Sequence, residues 1–289
     1  MRFSKSIIDN LVSNKDSLIN AIEKIEDEIN KLKNAVVNEK DIIDKIFIDY
    51  YKFDYTKFEE LKKIKIYNSN FSSFSSDVDL RFSSKFHRPT GKFVEKELFS
   101  ITNKKIKHYL SMPIITGRGI SPEDYDENGE YCYTSMADIK NWELGTDDIK
   151  YVSDEFAKRN KSKKPRGMKE YFPTTLEIDD ILMARSGEGT IGKVAIVQEE
   201  IDGIFCDFIM RIKLKNYNSL FAYYYFRTTY PQYLIEVYKK GLGNNTNIFP
   251  IVIQEFPIPN ISLEEQQKLV DAINNEISKQ NKIKESMEQ

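Results

Sequence analysis

The chain has 289 residues, 40% of them apolar, enough for one substantial core plus an accessory element and too many for a small stapled scaffold. Its 43 basic and 45 acidic side chains leave a formal charge of −2, so any surface for a polyanion must come from local segregation of charge. Two separated cysteines, Cys132 and Cys206, and two histidines, His87 and His108, exclude the usual zinc motifs and a disulfide framework, and no metal or cofactor is expected. Nothing resembles a secretory apolar segment, and the apolar runs fall short of the ~20 residues that span a bilayer, which points to a cytoplasmic protein with no membrane partner.

The first 48 residues contain no proline or glycine. Within them Leu18, Ile22, Ile25, Ile29, Leu32 and Val36 recur at steps of 4, 3, 4, 3 and 4, with Lys, Glu, Asp and Asn between them. This is the a/d spacing of a coiled-coil helix, about 27 Å long from Leu18 to Val36; an amphipathic helix packed on its own domain is the alternative. Residues 50–95 are rich in aromatic, serine and lysine side chains, with a short strand predicted at Lys63–Tyr67 and a serine-rich link near residues 71–77. From Leu98 to Ile261, short β-like runs alternate with turn chemistry at Thr116-Gly117-Arg118-Gly119, Glu127-Asn128-Gly129 and Asp202-Gly203.

The run Asp179-Asp180-Ile181-Leu182-Met183-Ala184-Arg185-Ser186-Gly187-Glu188-Gly189-Thr190-Ile191-Gly192-Lys193-Val194-Ala195-Ile196-Val197 contains a literal G-x-G-x-x-G. A dinucleotide loop would need a helix after the glycines, whereas the continuation is short, β-branched and apolar. The segment therefore reads as a strand, a glycine-rich connection and a returning strand. Residues 218–240 read as one long interior helix bent at Pro231, whose Tyr223-Tyr224-Tyr225-Phe226 run is assigned to core packing in preference to base stacking. Pro250, Pro257 and Pro259 force an extended passage, after which Ser262-Leu263-Glu264-Glu265 has the form of a capping box. The helix it opens carries Leu269, Val270, Ile273 and Ile277 on one face, so helices at the two termini are able to pair.

These elements give an α+β chain divided into an N-terminal coiled-coil helix (1–50), a connecting segment (51–97), a mixed-sheet domain (98–261) and a C-terminal helix (262–289). The motifs Thr116-Gly117, Glu130-Tyr131-Cys132-Tyr133, Ala137-Asp138-Ile139, Asp179-Asp180-Ile181-Leu182, Ser186-Gly187 and Ile191-Gly192-Lys193-Val194-Ala195 occur in this order. They are followed by Gly241, Asn247-Ile248, Phe256-Pro257-Ile258-Pro259 and the Glu264–Val270 stretch. In that order they resemble the target recognition domain of type I restriction-modification specificity subunits, over about residues 98–280. The resemblance implies a non-catalytic subunit that reads double-stranded DNA and docks adenine methyltransferase subunits, with a restriction subunit as a further partner. Members of that family ordinarily carry two recognition domains, and this sequence has room for one. It resembles a half-subunit, or the single-domain specificity chain of related systems that both cut and methylate; two copies would be joined through Leu18, Ile22, Ile25, Ile29, Leu32, Val36, Val270, Ile273 and Ile277. A protein-binding coiled-coil scaffold, or an antagonist that occupies the methyltransferase without reading DNA, is the competing function.

The DNA-binding candidates form three groups. The segment from Lys158 to Lys169 is the only strongly basic one, and Lys161, Lys163, Lys164 and Arg166 in it suit phosphate contact, although charge runs are often only solvated loops. Arg185, Ser186 and Lys193 border the glycine-rich connection; an arginine there can present two donors to guanine, or can fix the hairpin or touch phosphate instead. Asn244, Asn245 and Thr246, with Asn247, carry amides suited to adenine edges and equally suited to turns. Arg118, Lys104, Lys105 and Lys107 make a weaker set beside these groups. No Asn/Asp-Pro-Pro-Tyr/Phe methyltransferase motif, Walker loop or convincing carboxylate cluster is present, so no catalytic residue is expected.

Overall fold

A computed structural model describes residues 14–15, 17–20, 22–27, 29, 31, 36–74, 81–145 and 148–288. The chain divides into two compact units, Ile43–Val270 and a second drawn from Met1–Ile42 with Asp271–Gln289. Its longer helices include α1 (Glu39–Tyr51), α2 (Tyr55–Lys62), α3 (Pro89–Ile101), α4 (Asp154–Asn160), α5 (Ser219–Arg227), α6 (Thr229–Tyr238) and α7 (Leu263–Glu288). Its strands are β1 (Ile115–Thr116), β2 (Tyr131–Thr134), β3 (Ile139–Lys140), β4 (Glu143–Leu144), β5 (Lys150–Val152), β6 (Ser162–Lys163), β7 (Phe172–Pro173), β8 (Ile181–Ala184), β9 (Val194–Ile196), β10 (Gly203–Phe205) and β11 (Ile209–Ile212). The α+β class read from the sequence holds. No described helix is long and apolar enough to cross a membrane.

The central sheet of the larger unit has the order β1-β11-β8-β9 and is antiparallel throughout. Every residue of β8 and β11 is buried, which is why these strands show no alternation of apolar and polar residues; the one charge among them, Arg211, is buried with the rest. A second sheet, β10-β2-β5, pairs β10 parallel and β5 antiparallel to β2. Leu182 and Ala184 of β8, Ala195 of β9 and Ile209 of β11 share one core with Tyr133, Val152, Phe156, Ile204 and Phe205. The hairpin β8–β9 confirms the strand, connection and returning strand read from the glycine-rich run. The connection, residues 185–193, is a loop closed at its base where Gly192 N–H donates to Ala184 O (2.8 Å) and Ala184 N–H to Lys193 O (2.9 Å). Gly192 has φ +84°, and a Cβ there would come within 3.0 Å of the Ile235 side chain, so glycine is required both by conformation and by the approach of α6.

Three readings of local structure are corrected. The predicted strand at Lys63–Tyr67 is a turn and irregular chain, since Lys63 N–H and Ile64 N–H close off α2 on Glu60 O and Leu61 O. The described residues of 51–97 are largely helical within the larger unit, with α2 packed on α3 and α3 on α6, so this stretch contributes core side chains such as Phe58 and Val94. The helix predicted over 218–240 is two helices. Pro231 has no N–H to offer Arg227 O, and its ring would crowd that carbonyl, so the helix breaks at Thr228 (φ −68°, ψ 156°), three residues before the proline. The new helix start is satisfied by Asp44, whose carboxylate accepts from Thr229 N–H (2.6 Å) and Thr229 Oγ1 (2.7 Å). Tyr223, Tyr224, Tyr225 and Phe226 are all buried, as a core run should be.

The capping box at the start of α7 is formed reciprocally. Glu265 N–H donates to Ser262 Oγ (3.2 Å) and Ser262 N–H to the Glu265 carboxylate (3.2 Å). In the smaller unit the described residues between Asn14 and Lys31 are helical, and Val37 N–H donates to Gln280 Oε1 (2.9 Å). Leu18, Ile22, Ile25 and Ile29 are exposed, at 65%, 54%, 56% and 38%. Leu11 and Leu32 lie outside the described residues. Val36 is half-buried in non-helical chain, so the helical seam ends before it.

Candidate nucleic-acid interface

Five separate segments converge beside the ends of β1, β6, β8 and β11. The first is Thr116-Gly117-Arg118. Gly117 lies directly against the backbone of Phe205 and Cys206, where a Cβ would overlap the Phe205 carbonyl oxygen; only glycine permits this approach. Its N–H donates to Cys206 O (3.1 Å), and Arg118 N–H donates to Phe205 O (2.9 Å). The Arg118 guanidinium reaches β6, with Nη2 donating to Ser162 O (2.7 Å).

Lys163 is the second contributor. Its ammonium donates to Thr116 Oγ1 (2.7 Å) and Gly117 O (2.8 Å). Partial burial holds the Lys163 pKa below the usual lysine range, the Arg118 and Arg185 charges push it further down, and Asp207 opposes them. Three cations from distant parts of the chain thus lie within electrostatic range of one another.

Arg185, at the end of β8, is the third. Its backbone N–H donates to Phe208 O (2.9 Å) and its carbonyl accepts from Ile248 N–H (2.9 Å). Its side chain donates through Nε to Asp207 O (2.8 Å) and through Nη1 to Asn247 Oδ1 (3.4 Å). The guanidinium carbon is 5.9 Å from the Phe208 ring and 6.0 Å from the Phe249 ring. Among the described residues, Arg118 Nη1 and Arg185 Nη2 donate no hydrogen bond, so each arginine keeps an unspent donor group.

The fourth and fifth segments are the turn Cys206–Ile209, closed by Ile209 N–H to Cys206 O (3.1 Å), and the loop from Lys240 to Phe249. The loop is clamped by reciprocal bonds between Lys240 and Asn247 (2.8 and 2.7 Å). It also accepts Gly187 N–H on Thr246 O (3.2 Å), which joins the glycine-rich connection to the asparagine-rich loop. Two groups of candidates read separately from the sequence therefore form one structure.

That junction changes several assignments. Ser186 is buried and its hydroxyl donates to Thr246 O (3.2 Å), and Thr246 is itself buried, so both hold the loops together and are removed from the contact set. Lys161 is turned inward, donating to Tyr131 Oη (2.9 Å) with its ammonium 4.1 Å from that ring. Lys163 is likewise committed internally and acts on the surface only through its charge. The expected basic loop is in fact the end of α4, strand β6 and a turn in which Met168 N–H donates to Pro165 O (3.1 Å). Lys164 and Arg166 are exposed there and make no hydrogen bond or ion pair among the described residues. Lys193 is half-buried with its ammonium also unpaired among them, and Asn245 is exposed; the Asn244 side chain lies outside the described residues. Lys105 and Lys107 are bound by Glu255 (2.9 and 2.8 Å), and these bonds hold the Glu255 carboxyl below its usual range. Val270 and Ile273 are buried within the chain, which removes them from any partner-facing set, and Ile277 is half-buried.

Sequence reasoning missed Asp207, Phe208 and Phe249. The one available signal was an aspartate interrupting the apolar stretch Ile204–Ile212, the mark of a turn inside what otherwise reads as strand. No group of acidic, histidine and cysteine side chains able to hold a metal occurs among the described residues.

No curated protein matches this chain. Among solved structures it is similar to a chain from a study of complex assembly and conformational transition of the type I R-M system. That match has 11% identity, covers 96% of this chain and 54% of the other, and has a TM-score of 0.49. It is also similar to the HsdS subunit from Thermoanaerobacter tengcongensis, with 13% identity, 68% and 45% coverage and a TM-score of 0.43. A third is the type I restriction-modification system S subunit from M. genitalium, with 13% identity, 94% and 56% coverage and a TM-score of 0.42. This chain spans about half the length of each. The family model for the type I restriction modification DNA specificity domain matches residues 111–289, well over half of the sequence and all of the motifs from Thr116 onward. The chain therefore belongs to the type I restriction modification DNA specificity domain family.

Proposed function

We propose that the chain is a non-catalytic DNA-reading subunit whose contact surface is the face built around Arg118, Lys163 and Arg185. The observation that carries this reading is the convergence of those three cations from three segments of the chain, with one donor group of each arginine unspent. A fold that holds like charges together against their repulsion gains from a polyanion that neutralises them. Lys164, Arg166 and Lys193 extend the positive field and suit phosphate contact, while Arg185 and Asn245 supply donors for base edges.

Adenine methyltransferase subunits, and a restriction subunit with them, are the partners that family membership supports. One recognition unit reads one half-site, so a two-part target needs two copies at fixed spacing. The exposed face of Leu18, Ile22, Ile25 and Ile29 supports pairing through the N-terminal helix. The test is duplex binding by fluorescence anisotropy across a salt series, for the parent chain and for Arg185→Ala. Affinity should fall steeply with salt, and Arg185→Ala should weaken binding to a selected duplex by about 1–3 kcal/mol while changing unrelated duplexes less. Salt-independent affinity, or none, would refute the reading. Copurification with a methyltransferase chain and mapping of methylated sites test the docking part.

A further inference from the structure

Phe208 and Phe249 are exposed at 44% and 40%, although each is held on rigid backbone. Phe208 occupies the corner of the Cys206–Ile209 turn, and its carbonyl accepts from Arg185 N–H (2.9 Å). Phe249 follows the residue that donates to Arg185 O, and its own carbonyl caps the one-turn helix Pro250–Ile253 by accepting from Val252 N–H (2.9 Å). Both ring-bearing segments are thus bonded to the Arg185 backbone, and each ring lies about 6 Å from its guanidinium carbon. Most aromatic side chains of this protein pack on other rings; among the described residues these two do not.

Rings left in water beside three cations call for a partner with both flat apolar faces and negative charge. An apolar protein surface meets the rings but gains nothing from the cations, and an acidic peptide has the reverse defect. Nucleic acid satisfies both, through base faces and phosphates. We propose that Phe208 and Phe249 are wedges that stack on bases of duplex DNA at a locally unstacked step, with Arg185 fixed beside them. This rests on the DNA-reading function above and adds that the duplex is deformed at this face. Inserted apolar side chains partly unstack a base step, and a duplex already unstacked at that step escapes the cost.

The experiment uses the full chain and a duplex selected from a random-sequence pool, then repeats the affinity measurement with a single abasic site stepped along the duplex. The wild-type chain should bind more tightly, on the order of tenfold, when the abasic site falls at one or two neighbouring positions, a range set by one aromatic–base stack. Phe208→Ala should flatten that profile and Phe208→Trp should keep it. Phe249→Ala provides a second flattening variant if Phe208→Ala does not fold. Tight, salt-dependent binding with a flat wild-type profile would overturn the wedge and leave DNA reading intact. An unchanged peak in both folded alanine variants would overturn it too. Failure of the wild-type chain to bind any duplex would overturn both.

Discussion

The pair Asp180 and Arg211 offers a quantitative test of how this fold tolerates charge in its core. Both side chains are fully buried, Asp180 just before β8 and Arg211 on the neighbouring strand β11, with Nη1 3.8 Å from Oδ2. Arg211 also donates to Thr175 O (3.1 Å) and Met112 Sδ (2.9 Å), and Asp180 accepts from Glu177 N–H (2.9 Å). Burial raises the Asp180 pKa from 3.8 to about 6 despite the nearby Arg211 and Lys213 charges, and burial also lowers that of Arg211. Desolvation thus outweighs attraction for both partners. Breaking the pair by Asp180→Leu should cost about 3–5 kcal/mol, because an uncompensated guanidinium stays buried, and Arg211→Met should cost less, because Asp180 keeps Lys213 at 3.6 Å and can take up a proton. The double variant should recover most of that loss.

The pH dependence has a definite sign. A carboxyl whose folded pKa lies above its unfolded value contributes stability that is fully present below pH 3.8 and lost as the pH rises through about 6. Relative to the double variant, the parent chain should therefore gain about 1 kcal/mol between pH 7 and pH 5. Urea unfolding of the four proteins at both pH values measures the cycle. A double variant as unstable as the sum of the two singles, or a parent chain that gains nothing on acidification, would refute the reasoning.

Lys164→Ala with Arg166→Ala should weaken binding to all duplexes alike and make the salt slope shallower by about 2, because phosphate contacts carry no base information; thermal melting should be unchanged, since both side chains are exposed and unpaired among the described residues. Gly117→Ala should destabilise the larger unit by about 2–4 kcal/mol in urea unfolding, from overlap with the Phe205 carbonyl and loss of the Gly117–Cys206 and Arg118–Phe205 bonds. Ile22→Asn with Ile29→Asn should reduce the mass measured by light scattering in the presence of a methyltransferase partner while leaving unfolding of Ile43–Val270 unaltered, because both side chains are exposed.

Local chemistry with a strict period or a conformational requirement was legible in the sequence. The β8–β9 hairpin followed from glycines bounded by β-branched residues, and the start of α7 from a serine and glutamate three residues apart. The end of the long predicted helix was misplaced because proline acts on the carbonyl four residues before it, so the break precedes the residue that causes it. The site was legible only as a list. Density of positive charge marks Lys161 to Arg166, but which ammoniums turn inward depends on Tyr131, Thr116 and Gly117, which lie at least 30 residues away in the chain. Ser186 and Thr246 were misassigned for the same reason, since hydroxyls suited to a ligand are equally suited to joining two loops.

Arg185 is tied down at its backbone N–H, its carbonyl and its Nε before any ligand arrives. A free arginine surrenders about 2 kcal/mol of rotamer entropy when it is immobilised, and here most of that ordering occurs during folding. On the DNA-reading function proposed above, capture of DNA at this point is close to rigid docking, with little loop ordering to slow the encounter. Rigidity also sharpens error rejection. A side chain that cannot swing away from an ill-matched base keeps the full mismatch in the dissociation rate, so wrong sequences should be distinguished by how quickly they leave rather than by how slowly they arrive.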